Sequence, residues 1–220
     1  MRSAPKCLLA IGLCWILCPG RADASPFADG SEETDVVAVV QCLEGFESNS
    51  VPPAGWIRLS QNAAYTWKVS ATATPHGGAY AADVEYDPAL VAQDEWLMSP
   101  KGRYHGMLDF WSSGSIYWCR DNYDNCDLEV WLVQGPGVAD GDDLLLGEAE
   151  GLWPGNWMWT VNNYSLDSAT PNGLFRLAFR YTGLDGAQVL LDDISYDAPC
   201  GVFGADFEGA GLDEWSMNLP

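Results

Sequence analysis

From Cys42 onward the chain alternates short apolar segments, rich in Val, Leu, Phe, Tyr and Trp, with turns marked by Gly, Pro, Asn and Asp. That spacing predicts an all-β sandwich. The clearest strand is Leu174–Tyr181. Phe175, Leu177, Phe179 and Tyr181 share one face there, and Arg176 and Arg180 lie on the other. Leu128–Val133 sets Leu128, Val130 and Leu132 against Glu129, Trp131 and Val133. Both of its faces are largely apolar, which predicts a strand flanked on both sides. Gly183-Leu184-Asp185-Gly186 reads as a turn, and Val189–Tyr196 as the strand that returns from it. Trp157 and Trp159 alternate as if in one strand, with Trp153 just before it. No segment shows a capped 3.6-residue period, and Ala89–Trp96 allows one helical turn at most.

The N-terminus follows a different pattern. Arg2 and Lys6 precede the apolar run Cys7–Cys18, and Ala22-Asp23-Ala24 fits a small-x-small cleavage site. Residues 1–24 therefore read as a secretory signal, too short in its apolar part to span a bilayer as a helix. The expected product is secreted or displayed at the cell surface, with no membrane span. Residues 25–41 form a polar, acidic linker.

Composition narrows the partners. With 31 acidic and 10 basic residues the chain carries a formal charge of −21. Such a chain repels nucleic acid and anionic surfaces, leaving neutral, cationic or metal-bridged partners. Four cysteines lie beyond the signal: Cys42, Cys119, Cys126 and Cys200. In an oxidising compartment an even count predicts disulfides, and three pairings are open. Cys119–Cys126, closing a short acidic loop, and Cys42–Cys200, tying the domain ends together, is the preferred set. Zinc competes for these thiolates, but no Cys-x-x-Cys pair supports it.

Eleven tryptophans are a heavy load for one domain, and most should fill a core. Trp153, Trp157 and Trp159 are the candidates for an exposed stacking platform, with Trp118 and Tyr123, beside and within the Cys119–Cys126 loop, as a second aromatic surface. Catalytic constellations are thin. His76 and His105 each lie beside a glycine and belong to no nucleophile motif. Ser112-Ser113-Gly114-Ser115 is no Gly-x-Ser-x-Gly elbow. Abundant carboxylates leave a glycosidase-type acid pair open as an alternative. A structural surface component without a small ligand is another.

Eight segments in order carry a resemblance: Gly45-Phe46-Glu47; Pro52-Pro53-Ala54-Gly55-Trp56; Gly78-Ala79-Tyr80-Ala81-Ala82; Glu95-Trp96-Leu97-Met98-Ser99-Pro100; Gly106-Met107-Leu108-Asp109-Phe110-Trp111; Leu128-Glu129-Val130-Trp131; Leu177-Ala178-Phe179-Arg180-Tyr181; and Leu191-Asp192-Asp193-Ile194. Together, over residues 42–200, they resemble the choice-of-anchor J domain, also called the cleaved-adhesin domain, a relative in shape of the MAM domain. The resemblance implies a jelly-roll β-sandwich of two antiparallel sheets, acting as a non-catalytic module that recognises a glycan or an extracellular protein. It also implies a calcium site where an acid of the first strand meets an aspartate of the last. Here those are Glu47 and the Asp192-Asp193 pair, with Asp83 as an additional ligand. Calcium takes six to eight oxygen ligands, which carboxylates and backbone carbonyls supply. Strand alternation would put Asp192 and Asp193 on opposite faces, so one of them, Asp193, is expected to face the ion. The last residues, 201–220, form a tail in which Asp206-Phe207-Glu208-Gly209 and Trp215-Ser216 resemble a short ending of secreted proteobacterial proteins.

Overall fold

The computed structural model describes residues 41–70, 74–135, 141, 143–167 and 173–197. The signal, all of the linker but Gln41, Cys200 and the tail lie outside them. The described residues form eleven strands: β1 Gln41–Glu44, β2 Ile57–Ser60, β3 Lys68–Val69, β4 Ala82–Val84, β5 Gln93–Met98, β6 His105–Ser113, β7 Cys126–Val133, β8 Leu144–Glu148, β9 Thr160–Ser165, β10 Arg176–Gly183 and β11 Val189–Asp197. One π-helical turn (Tyr117–Asp121) and one 3-10 turn (Glu150–Leu152) complete them. Among the described residues no helix is long and apolar enough to cross a membrane.

The strands make a jelly-roll sandwich of two antiparallel sheets. The first runs β3-β4-β11-β6-β9, with β1 also on β11; the second runs β2-β5-β10-β7-β8. β7 lies between β10 and β8, as its two apolar faces predict. Two expectations are corrected. Residues 93–96, the end of the segment Ala89–Trp96 expected to hold one helical turn at most, belong to strand β5, because alternation in a sheet buries Leu97 inward and Trp96 and Met98 outward. Trp157 and Trp159 precede β9 in a loop rather than alternating in a strand. Gln41, the last residue of the expected linker, pairs with Asp197 in β1.

Alternation along each strand fills the space between the sheets. Leu128, Val130 and Leu132 of β7, Leu177, Phe179 and Tyr181 of β10, Leu108 and Phe110 of β6, and Val189 and Leu191 of β11 all point inward. Phe110 meets Phe179 edge-on at 5.0 Å, bridging the two layers, and Trp56 stacks on Phe179 from the side. The Trp67 ring is fully buried, and its Nε1 donates to the Glu95 carbonyl at 2.9 Å, so the segment before β3 is fixed to the second sheet. On the outer face of that sheet Arg180 grips Asp94 through two 2.8 Å hydrogen bonds, reaches Glu129 at 3.0 Å, and lies over the Trp96 ring. Cys119 and Cys126 are bonded, tying the π-helical turn to the start of β7. Cys42 is also disulfide-bonded.

Several buried positions are acids, among them Glu150. Its Oε2 accepts the Leu128 N–H at 2.8 Å. Burial pushes its carboxyl up from 4.5 to about 7, the Leu128 N–H opposes that shift, and nearby Asp127 and Glu148 add to it. A carboxyl raised by folding favours the folded state while protonated. Its contribution is complete below pH 4.5 and is lost as pH rises through about 7. Glu150→Gln keeps the acceptor without the charge. We expect the variant to melt about 4 °C above the parent at pH 8 and to match it near pH 4.5. Calorimetry at both pH values checks this, and a gap of equal size at both would contradict it.

Candidate functional site

The functional region begins with a division of strand β11. β6 pairs along one edge of it. The other edge is shared, β4 taking Val189–Leu191 and β1 taking Ile194–Asp197. Between these partners lie Asp192 and Asp193. The register against β6 advances three residues on β11, Asp192 to Ser195, for two on β6, Trp111 to Asp109. This is a bulge with one extra residue. Asp193 takes the left-handed conformation at φ 47°. The bulge breaks alternation, and this corrects the expectation that only one of the two acids reaches the site. Both meet the loop 76–80, which passes over the gap.

Glu47 arrives at the same loop from the end of β1. The preceding Phe46 sits at φ 57°, with its ring fully buried and its N–H held by Glu44 Oε1 at 2.6 Å. The loop's backbone N–H groups then bind the acids. His76 N and Gly77 N donate to Asp192 Oδ2 at 2.9 and 3.1 Å, and Ala79 N donates to Glu47 Oε1 at 2.9 Å. His76 Nδ1 lies 2.7 Å from Asp193 Oδ2, and the imidazole stacks on Trp111 with ring centres 3.7 Å apart. Burial pushes the Asp192 carboxyl up to about 6, while the N–H groups of Gly77 and Asp193 pull it down. Glycine is required where the loop turns. A side chain at Gly77 would come within 2.6 Å of Asp193 Oδ2, and one at Gly78, itself at φ +56°, would run into the Glu47 carboxylate.

Asp83, the other acid expected at the site, lies on the neighbouring strand. It is fully buried on β4, opposite Leu190, and its Oδ2 accepts the Gln188 amide at 2.6 Å. Its hydrogen-bond partner Gln188 is not one of the residues that Glu47 contacts. Among the described residues no three His, Cys, Asp or Glu side chains are grouped so as to hold a metal ion. The junction brings three carboxylates together, Asp192 and Glu47 held by backbone N–H groups and Asp193 by His76.

The aromatic candidates separate into two groups. Trp153 is buried at 1 % exposure, with its Nε1 donating to Ser112 Oγ at 2.8 Å. The structure removes it from any stacking platform, because its ring fills the space above Gly114, where a Cβ would collide with it. Trp118, Trp157 and Trp159 line two neighbouring bays with a shared wall, which together make up the groove. A smaller bay of about 270 Å³ is bounded by Tyr86, Trp118, Trp157, Asp185 and Gln188. A larger one of about 370 Å³ is bounded by Thr74, Pro75, Ser113, Trp157, Trp159 and Gln188. Trp157 and Gln188 belong to both. Tyr123 braces the far wall, stacked on Trp118 at 4.6 Å. Trp159 Nε1 donates to the Thr74 carbonyl at 3.2 Å, and its ring meets His76 edge-on. The groove therefore abuts the acidic junction through loop 74–80. His76, Trp111, Tyr86 and Gln188 were not singled out from sequence. His76-Gly77-Gly78 was the available signal, since paired glycines mark a close approach of backbone to side chains.

Solved structures of similar shape are known. The chain superposes on the K2 cleaved adhesin domain of Lys-gingipain with a TM-score of 0.55 and 18% identity, covering 71% of this chain and 97% of that one. The K3 domain of Lys-gingipain from Porphyromonas gingivalis W83 gives 0.54 and 21%, covering 72% and 98%. The K1 domain from the same organism gives 0.53 and 20%, covering 73% and 99%. No protein-family model matches the chain, and no curated protein does. At these identities the similarity establishes the cleaved-adhesin-like sandwich fold.

The glycines of the junction give a direct test of its packing. Gly78→Ala should destabilise the fold by about 1–3 kcal/mol, because it adds a Cβ at positive φ against Glu47. Gly151→Ala, where an added Cβ meets nothing, should stay within about 0.5 kcal/mol. Urea denaturation of both variants measures the difference.

Proposed function

We propose that this chain is an extracellular, non-catalytic recognition module of the choice-of-anchor J, cleaved-adhesin type, which binds a glycan or an extracellular protein through the aromatic groove. The observation that carries the proposal is the convergence of Trp118 with Trp157 and Trp159, from two separate segments, on a pair of open bays that share Trp157 and Gln188. Aromatic walls with a few polar groups are the usual makeup of a ligand site, and Trp157 offers its indole at 52 % exposure. Single-site titrations of the chain against a glycan panel and candidate surface proteins should give saturable binding with no product released. Trp157→Ala should weaken that binding at least about tenfold without moving the melting temperature. Release of shortened glycan would instead establish a hydrolase or lyase, and no saturable ligand a structural component.

Calcium at the acidic junction is the second part of the proposal. Glu47 and Asp193 would hold it, supplemented by backbone carbonyls and water. A bound divalent cation would offset the repulsion among Glu47, Asp192 and Asp193 and so stiffen loop 74–80, one wall of the groove. Free calcium at 100 times its dissociation constant would stabilise the fold by about 2.7 kcal/mol. A chelator should therefore lower the melting temperature of the parent and leave Glu47→Ala unaffected. A melting curve insensitive to calcium in the parent would remove this part and leave groove recognition untouched.

A further inference from the structure

The smaller bay has a more specific chemistry than recognition in general requires. Three aromatic side chains, Tyr86, Trp118 and Trp157, line it, together with Asp185. Trp118 is fixed by stacking on Tyr123, which Tyr117 braces edge-on at 5.3 Å. Trp157 is held at φ 59°, a costly conformation for so bulky a residue, by donating its N–H to the Gly114 carbonyl at 2.7 Å. The fold thus sustains strain in order to hold an indole in solvent, between the two bays.

Charge then selects among ligands. None of the residues lining either bay is Lys or Arg. Gln188, on the inner side, is anchored to the buried Asp83 carboxylate. The chain as a whole carries −21. An anionic ligand meets repulsion at every range, and a neutral one can hydrogen-bond Asp185 but draws nothing from the net charge. A compact cation gains from the ring faces, from Asp185, and from the field of the whole chain.

We propose that this bay receives an alkylammonium group, the side-chain ammonium of a lysine presented by an extracellular protein partner. The proposal rests on the groove being a recognition site and names what it recognises. Three aromatic faces around a cation are the arrangement by which ammonium heads are bound. Asp185, and Asp83 behind Gln188, complete it as a carboxylate background. The larger bay, flanked by Trp159 and Pro75, would take the apolar or backbone part of the same segment.

The test titrates the full chain, following tryptophan fluorescence and heat, with four probes. These are a short peptide with a central lysine, the same peptide with norleucine there, choline, and 3,3-dimethylbutanol, the uncharged isostere of choline. The lysine peptide should bind at least about tenfold more tightly than the norleucine peptide, and choline more tightly than its isostere, with both preferences shrinking as salt rises. Trp157→Ala and Tyr86→Leu, at two exposed side chains, should each erase the preference while the melting temperature holds. Trp157→Phe should keep most of it. Equal binding of charged and uncharged probes overturns the ammonium assignment, and so does binding of choline alone without the lysine peptide, which points to a small free ligand. Saturable binding of a neutral oligosaccharide that Trp157→Ala removes, with no binding of any ammonium probe, overturns this inference and leaves the recognition role standing. Failure of every probe, of the glycan panel and of candidate proteins removes both.

Discussion

The site depends on how one strand is shared. β11 offers a single edge to two partners, and neither β4 nor β1 covers Asp192 and Asp193. An uncovered stretch inside a sheet leaves backbone groups to be satisfied, and the bulge turns this into a place where side chains reach a loop. Asp192 and Glu47 accept the N–H groups of loop 76–80, while His76 reaches Asp193. The loop is thereby tied to the first and last strands at once. Its preceding residues, Thr74 and Pro75, then form a wall of the groove, and Thr74 receives the Trp159 N–H. Moving the bulge by one residue would turn the acids away and loosen the wall with them.

Trp153 shows how a core residue supports a surface one. Its Nε1 and the Asn162 amide both donate to Ser112 Oγ, a buried set of polar contacts on neighbouring strands. Its ring closes over Gly114 so tightly that only glycine fits there. The carbonyl of that glycine receives the Trp157 N–H and fixes the strained turn. A residue expected to touch ligand instead holds the one that is exposed. Arg120 works alongside, donating to the Glu150, Gly151 and Trp153 carbonyls and setting the course of the chain into this turn.

How much of this could be read in the sequence follows from which forces are local. Period-two alternation made Leu174–Tyr181, Leu128–Val133 and Val189–Tyr196 legible, and they became β10, β7 and β11 within two residues at each end. The short Cys119–Cys126 bridge was legible too, because its loop is local. β5 was not, since Gln93 and Glu95 face inward among hydrogen-bond partners that lie far away in the chain. Asp192 and Asp193 were recognised as a pair, but their relative orientation was not. Alternation holds only while pairing is unbroken, and the break comes from the distant partners β4 and β1. The burial of Trp153 was equally hidden, because three tryptophans at close spacing look alike until Gly114, about forty residues earlier, is brought beneath one of them.

Left-handed backbone is concentrated where the site is. Of the non-glycine residues with positive φ, Phe46 precedes Glu47, Asp193 lies at the junction, and Trp157 and Asp185 line the groove. Each costs on the order of 1 kcal/mol and persists only where its surroundings over-determine it. The surroundings are visible in each case but one: a buried ring and the Glu44 carboxylate for Phe46, the His76 contact for Asp193, and the Gly114 carbonyl for Trp157. Asp185 follows the Gly183-Leu184 turn, where an aspartate tolerates this conformation most readily. Strain placed this way is offset by the aromatic core between the sheets, with Phe110 and Phe179 at its centre. A groove whose walls are fixed before any partner arrives gives up little conformational entropy on binding. That is the physical reason a rigid sandwich can recognise a partner through so few exposed side chains.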